Sequence, residues 1–438
     1  MFQTLKNAFK VKDVRKKILM TLLFVFIYRL GSFVPVPGIS ASAFQGAVGN
    51  SDFLNILSAI GGGALSNGTL FAIGISPYIN ASIIVQLLTI AIPRLERLSK
   101  EGDEGKAKIT KITRYGTIIL AAVQAVGILL VFNQSNILDT ALFGGEWWIP
   151  PTWFVFIFVT VIFVAGSALV MWIGERITEH GVSNGMSMLI FVGIIATAGR
   201  SLRVSLGAIF EGKIAPSTTW EIVGFLVLAV VLFAFIITVD KAERKIQVQY
   251  SKQIKGNKMY GGQSSMIPIR VNGSGVLPLI FAFAITSFPE LIMSTFGWTW
   301  NFYTTYLGTK SQTGAYPIML TVWIFIFAFF YQQVQFNPVE VANNIQNNGG
   351  FIPGIRPGKP TSDYLTKVVQ RITFFGAIFL GIIAFVPTML FSMVIKTQTG
   401  LLGAFSATGM LIVVSVALEF EKSLENQLLM KYYKGFLK

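Results

Sequence analysis

The stretch SAIGGGALSNGTLFAIGISPYINASIIVQ, Ser58 to Gln86, starts close to three consecutive glycines and ends in a run apolar enough for a lipid bilayer. It also carries a proline, two asparagines, several serines and a glutamine. A segment that is membrane-like yet broken and polar asks for a reason. Discontinuous spans that recur at matching positions of two halves mark the pathway in membrane transport proteins. The stretch therefore sets two questions: does the whole chain span a membrane, and does the break recur?

Composition answers the first. The chain has 438 residues, of which 53% are hydrophobic and 13% charged. Soluble domains carry about 25% charged residues. Apolar runs of about 20 residues, each long enough to cross a hydrocarbon core, repeat along the sequence. A β-barrel would alternate apolar and polar residues in shorter pieces, and these runs are continuous. The sequence contains no cysteine, which excludes disulfides and thiolate metal sites. Its single histidine, His180, leaves little imidazole chemistry. The N-terminus, MFQTLKNAFKVKDVRKK, is basic and amphipathic and runs into a long apolar segment. It lacks a short apolar region with a small-residue cleavage site, so an uncleaved cytoplasmic tail is expected.

Apolar runs between charged breaks predict ten spans, near 18–37, 69–92, 114–133, 152–173, 182–199, 220–239, 276–296, 315–336, 371–392 and 401–420. Trp147, Trp148, Trp153, Trp220, Trp298 and Trp300 lie at span ends, as interfacial anchors do. Of the 35 Lys and Arg residues, 29 fall in the tails and loops of one side and 5 on the other. Arg29 lies within the first span. The positive-inside rule places both termini in the cytoplasm. Topogenesis and anionic headgroups account for the net charge of +15 without nucleic acid. An acidic cytoplasmic partner such as a ribosome is the sharper alternative.

Ten spans divide into two sets of five, and an odd number per set makes the two halves inverted. The second span of the first half carries GISPYI, Gly74 to Ile79. Its counterpart carries GVLPLI, Gly275 to Ile280. The shared G-x-x-P-x-I places a glycine and a proline break at the same point of each half. A weaker match, Met-Leu-Ile, joins residues 188–190 and 410–412. The expected organisation is a cytoplasmic tail (1–17), an N-terminal half (18–199), an external linker (200–219), a C-terminal half (220–420) and a second cytoplasmic tail (421–438).

Several chemistries lack their residues. No carboxylate pair or Asp/Glu/His chain stands at mid-membrane, where proton or cation coupling is built. No Ser-His or Asp-Asp arrangement suggests proteolysis, and GGGALSNGT lacks the lysine of a phosphate-binding loop. The chain is expected not to be an enzyme and to need no metal or other cofactor. Two long cytoplasmic loops, about 240–270 and 337–370, hold no catalytic set. Loops of that size are usually functional, and docking of a cytoplasmic partner is the expected use.

These residues carry a family resemblance. YRLGSFVPVPGI (28–39), GGGALS with FAIGISPYINASIIVQLL, KEGDEGKAKITKITRYGT (100–117), GERITEHGVSNGMS (174–187), IPIRVNGSGVLPLIFA (267–282) and NNGGFIPGIRPGKPT (347–361) resemble SecY. The SecY/Sec61-alpha family supplies the central channel subunit of protein translocons. The resemblance covers essentially the whole chain. It implies an all-α membrane protein of ten helices in two inverted, pseudo-symmetric five-helix halves around an hourglass pore. It further implies passage of unfolded secretory chains across the bacterial plasma membrane and sideways release of apolar segments through a lateral gate. The partners implied are SecE and SecG, the SecA motor or a ribosome, and signal sequences and preproteins, with no direct contact to DNA.

Residue by residue, the family's pore ring falls on Ile75, Ile79, Met186, Ile190, Ile280 and Ile412. The ring is typically all isoleucine, so Met186 departs from it, although an unbranched methionine still fills a deformable seal. The plug falls near 53–67, with Ile60, Gly61, Gly62, Gly63, Ala64 and Leu65 at its centre. Its glycines are expected to weaken a short helix by about 1 kcal/mol each. Asn80, Gln86, Asn272 and Phe288 match lateral-gate positions. Arg356 matches the loop arginine used in SecA-driven work, and Lys245, Lys252, Lys255 and Lys258 add a basic face without a specific match. A secondary transporter for a small solute is the other class built from inverted repeats, and the missing mid-membrane charge argues against it. A non-transporting scaffold leaves the repeated breaks unexplained.

Overall fold

The structure, a computed structural model, describes residues 2–49, 54, 58, 61–133, 151–211, 216–250, 253–255, 258–260, 264–273, 275, 277–296, 300–307, 315–394 and 407–435. It is mostly helical and divides into two compact units. One comprises Met1–Thr219, Thr286–Thr313 and Thr397–Lys438; the other comprises Trp220–Ile285 and Gly314–Lys396.

In the first unit, α1 (Phe2–Lys10) and α2 (Lys12–Gly31) open the chain. The span expected to reach residue 37 stops at Gly31. Pro35 and Pro37 follow and cannot donate to a continuing helix. The chain instead pairs with residues 68–70: Val36 N–H donates to the Gly68 carbonyl at 3.1 Å, and Leu70 N–H to Val34 at 2.9 Å. A short α3 (Ala41–Gly49) follows.

Residues 61–75 form successive turns, so the segment expected to span from 69 becomes helical only at Ser76. That helix, α4 (Ser76–Ala91), bends by 102° into α5 (Pro93–Lys100). Pro93 causes the break: Ile92 before it is extended at φ −108° and ψ 113°, as a residue preceding proline prefers. Beside this bend Lys100 pairs with Glu96 at 2.7 Å and holds the exposed Glu96 carboxyl below the usual range.

Next come α6 (Asp103–Asn133), α7 (Thr152–His180) and α8 (Gly185–Phe210). The tight α7–α8 connection is built by its own residues. Asn184 caps α8 by accepting from the Met186 and Ser187 N–H groups, and Gly185 N–H donates to Thr178 Oγ1 at 2.9 Å. A core of Phe44, Leu65, Leu129, Val155, Val159 and Phe163 fixes α6 and α7 to the turns of residues 61–75. A second cluster joins Ala8, Val14, Ile18, Val182, Leu424 and Leu428. Through it, both ends of the chain and the α7–α8 connection share one core. The last helix, α14 (Ala407–Gly435), continues past the expected limit of residue 420.

The second unit holds α9 (Pro216–Asp240) from Trp220 onward, the start of α10 (Leu277–Phe296), α11 (Ala315–Gln335), α12 (Pro338–Asn347) and α13 (Lys359–Val394). The two long loops prove to be one folded element. β1 (Glu243–Tyr250) pairs antiparallel with β4 (Ser264–Arg270) on one edge and with β5 (Gly350–Phe351) on the other. A small ribbon, β2 (Gln253–Lys255) with β3 (Lys258–Tyr260), extends the hairpin. Ile246, Val248, Ile269, Ile345, Ile352 and Leu365 form the core beneath it. Strict helicity is therefore amended by a sheet. Its signal was alternation: buried Ile246 and Val248 stand between exposed Lys245, Gln247 and Gln249.

Among the described residues, six helices are long and apolar enough to cross a membrane, or seven with the bent α4–α5 pair counted as one span.

Candidate functional site

The two G-x-x-P-x-I stretches have the same local backbone. Gly74 has φ +60° and Gly275 φ +65°. Each lies two residues ahead of its helix, at Ser76 and Leu277, and the motif's proline falls in the first turn of each. A left-handed φ is unfavourable for residues with a Cβ, so glycine is the residue that permits the chain to turn here.

Ile75 caps α4 and is buried, at 4% exposure. Its carbonyl accepts from Ile79 N–H at 3.1 Å, and Ile79 is half-buried one turn later. Met186 and Ile190 are one turn apart on α8 at 8% and 6% exposure, and Ile412 on α14 is at 4%. An isoleucine facing lipid would be largely exposed in the isolated chain, as Ile157 and Ile119 are, so that explanation fails for these four. The Ile280 side chain lies outside the described residues.

Of the helices carrying these residues, α4 and α8 lean on α7. Ser167 Oγ donates to the Gly74 carbonyl at 3.2 Å. Gly174 leaves room for Met186: a Cβ there would meet the methionine sulfur and approach its methyl carbon to 2.9 Å. In turn α14 packs on α8.

For the plug, Ile60 lies outside the described residues. Gly61 is buried, and Ala64 and Leu65 are at 1% and 0% exposure. The expectation that the glycines soften a helix needs correction over residues 61–65. The segment is turns, with Gly62 at φ +71° and Gly63 at φ +83°, so the glycines make the turn possible. Gly63 N–H donates to the Ser58 carbonyl at 2.8 Å, and Thr69 N–H to Ala64 at 3.2 Å. Sequence reasoning missed the residues that hold this turn from α2. Tyr28 Oη donates to the Gly61 carbonyl and Arg29 Nη1 to the Gly62 carbonyl, each at 3.4 Å. YRLG opens the motif YRLGSFVPVPGI, but local spacing assigns it no contact.

Among the gate candidates, Asn80 is half-buried and Gln86 exposed on α4. Asn272 is buried, and its amide donates to Asp240 Oδ1 at 2.9 Å, an acidic partner that sequence reasoning had not linked to it. Only the backbone of Phe288 is described.

Arg356 is exposed on the loop that leaves β5. Its carbonyl accepts from Thr361 Oγ1 at 2.8 Å, and Ile355 N–H closes a turn onto Ile352 at 3.0 Å. Pairing of β5 with β1 fixes this loop to the other long loop, and Lys245 on β1 pairs with Glu243 at 3.4 Å. Lys252 lies outside the described residues; Lys255 and Lys258 are register partners in the β2–β3 ribbon, described in backbone only. Among the described residues, no group of three His, Cys, Asp or Glu side chains is placed to hold a metal.

Long apolar helices, a recurrent glycine break and a folded basic loop platform define a polytopic α-helical membrane protein. The family model SecY matches residues 69–421. A protein translocase subunit SecY of Streptomyces scabiei is 41% identical over the full length of both chains. One from Halalkalibacterium halodurans is 39% identical, again over both full lengths. The chain belongs to the SecY family. Its fold is similar to that of a solved protein-conducting channel (TM-score 0.67, 18% identity, covering 94% of this chain and 92% of that one). It is also similar to Sec61 in a canine ribosome–channel complex from the endoplasmic reticulum (TM-score 0.65, 17% identity, 94% and 92% covered).

Proposed function

We propose that the protein is a protein-conducting channel. It passes unfolded secretory polypeptides across the bacterial plasma membrane and releases apolar segments into lipid through a lateral gate. It binds no cofactor and catalyses no reaction; SecA or a translating ribosome supplies the work, and SecE and SecG complete the complex. Ten helices in two inverted halves surround the pore, and both termini are cytoplasmic.

The observation that carries this reading is the repeated break: Gly74 and Gly275 share a left-handed backbone ahead of matched helices in a chain of the SecY family. Inverted repeats with matched breaks place the pathway at their interface. Four buried apolar residues, Ile75, Met186, Ile190 and Ile412, supply a seal that offers a passing chain no fixed polar partner. The shared core of Ala8, Val182 and Leu424 favours both termini lying on one side. The β1–β4–β5 platform supports docking, because it presents Arg356 on a braced surface.

The reading is tested by replacement. In cells depleted of their own channel subunit, this chain is expected to restore secretion of a signal-bearing reporter. Stable membrane expression with no recovery of secretion would refute it.

A further inference from the structure

The end of α2 is shaped around the glycine turn. Tyr28, at 2% exposure, donates to Gly61, and its ring stacks on Phe71 with centroids 5.8 Å apart and planes 13° from parallel. Gly31 has no side chain where the Phe71 ring lies; a Cβ there would come within 2.8 Å of Phe71 Cδ2 and closer to its neighbours. Between these two residues stands Arg29, half-buried, donating to Gly62 with its guanidinium 5.5 Å above the Phe33 ring. Gly62 is enclosed from the other side by α8, with the Gly193 Cα 3.1 Å from where a Cβ would be. Three residues of one four-residue stretch thus fit the segment 61–71.

Arg29 lies in the first span that the sequence predicts, and a cation within a membrane span is costly and persists where it has a partner. Arg29 forms no ion pair among the described residues; its hydrogen-bond partner is the Gly62 carbonyl. That partner is present only while the turn occupies its place. The bonds are long, so the hold is weak and reversible.

We infer that Tyr28 and Arg29 are positioning residues that latch the glycine turn 61–63 in its resting place, with Arg29 setting how readily the turn leaves. The inference rests on the plug assignment proposed above. When the turn moves, the guanidinium exchanges its carbonyl for water. Phe33 keeps it oriented toward the vacated position, ready for the turn's return.

The absence of native cysteine permits a clean probe. Ser66 is half-buried beside the turn, where its hydroxyl donates to Gly63 at 2.9 Å. In the assembled complex, a Ser66→Cys reporter is exposed to a membrane-impermeant maleimide from the external side, with no translocating chain present. Arg29→Gln is expected to speed labelling about ten-fold, the effect of losing roughly one charge-assisted hydrogen bond. Resting ion conductance should rise in parallel, while thermal stability of the complex stays at the parental level. Tyr28→Phe, which keeps the stack on Phe71, should have a smaller effect, and Arg29→Lys should recover part of the loss. If Arg29→Gln fails to assemble, Arg29→Met, which keeps the length of the side chain and removes only its donors, supplies the same comparison. Parental labelling and conductance in Arg29→Gln, or in Arg29→Met in its place, with leak on deleting residues 57–67, would overturn the latch and leave the plug standing. No leak from the deletion would overturn the plug assignment itself.

Discussion

The Asn272 amide donates to the Asp240 carboxylate at 2.9 Å, tying the segment before α10 to the end of α9. Asn272, a proposed gate residue, is therefore also one half of a polar pair. Replacing it with leucine removes a donor from a half-buried carboxylate, a loss of about 1–3 kcal/mol. Asn272→Leu is expected to change how hydrophobic a signal sequence must be for export, measured with a graded set of signal sequences. Because the two residues act as a pair, Asn272→Leu with Asp240→Leu should cost less than the sum of the single changes. Additive costs with an unchanged threshold would remove Asn272 from gating.

Two glycines of α7 face neighbours of different stiffness. A Cβ at Gly166 would overlap the Leu70 backbone carbonyl, whereas at Gly174 it would overlap the end of the Met186 side chain. Backbone cannot yield and methionine can. Gly166→Ala is expected to cost upwards of about 3 kcal/mol and Gly174→Ala about 1 kcal/mol, the ordinary range of overpacking. Thermal unfolding of the complex measures both. Combining Gly174→Ala with Met186→Ala should recover part of the Gly174→Ala loss, and failure to do so would mean that the sulfur is not what the new methyl displaces.

Arg356 stands on a loop paired to β1 and closed by Thr361, so charge reversal leaves the platform intact. Arg356→Glu is expected to lower SecA-driven secretion at least ten-fold while ribosome-delivered membrane insertion falls much less, a difference of about 1.4 kcal/mol in the motor-dependent step. Parallel assays of a secreted and an inserted substrate make the comparison. Equal losses would indicate misfolding.

Membrane class and repeated break were legible because hydrophobic run length and glycine–proline placement are local. GISPYI and GVLPLI announced a backbone feature that the structure shows at Gly74 and Gly275. Helix ends were less legible. The first span's end was carried by Pro35 and Pro37 downstream, and α4 begins only after the Gly74 turn. The sheet was written in the alternation of Ile246 and Val248, but its third strand, two residues at Gly350–Phe351, is joined through tertiary pairing alone. Likewise, the contacts of Tyr28 with Gly61 and of Asn272 with Asp240 link residues about 30 apart, a relation no local spacing encodes.

The central claim is that this chain conducts unfolded polypeptide. It is tested most directly by reconstituting the purified chain with SecE and SecG in liposomes, adding SecA, ATP and an unfolded preprotein, and measuring protease-protected preprotein. The account expects ATP-dependent protection of full-length preprotein that is lost when SecA is omitted. An assembled complex that protects no preprotein, yet accumulates a small solute down an ion gradient, would contradict it.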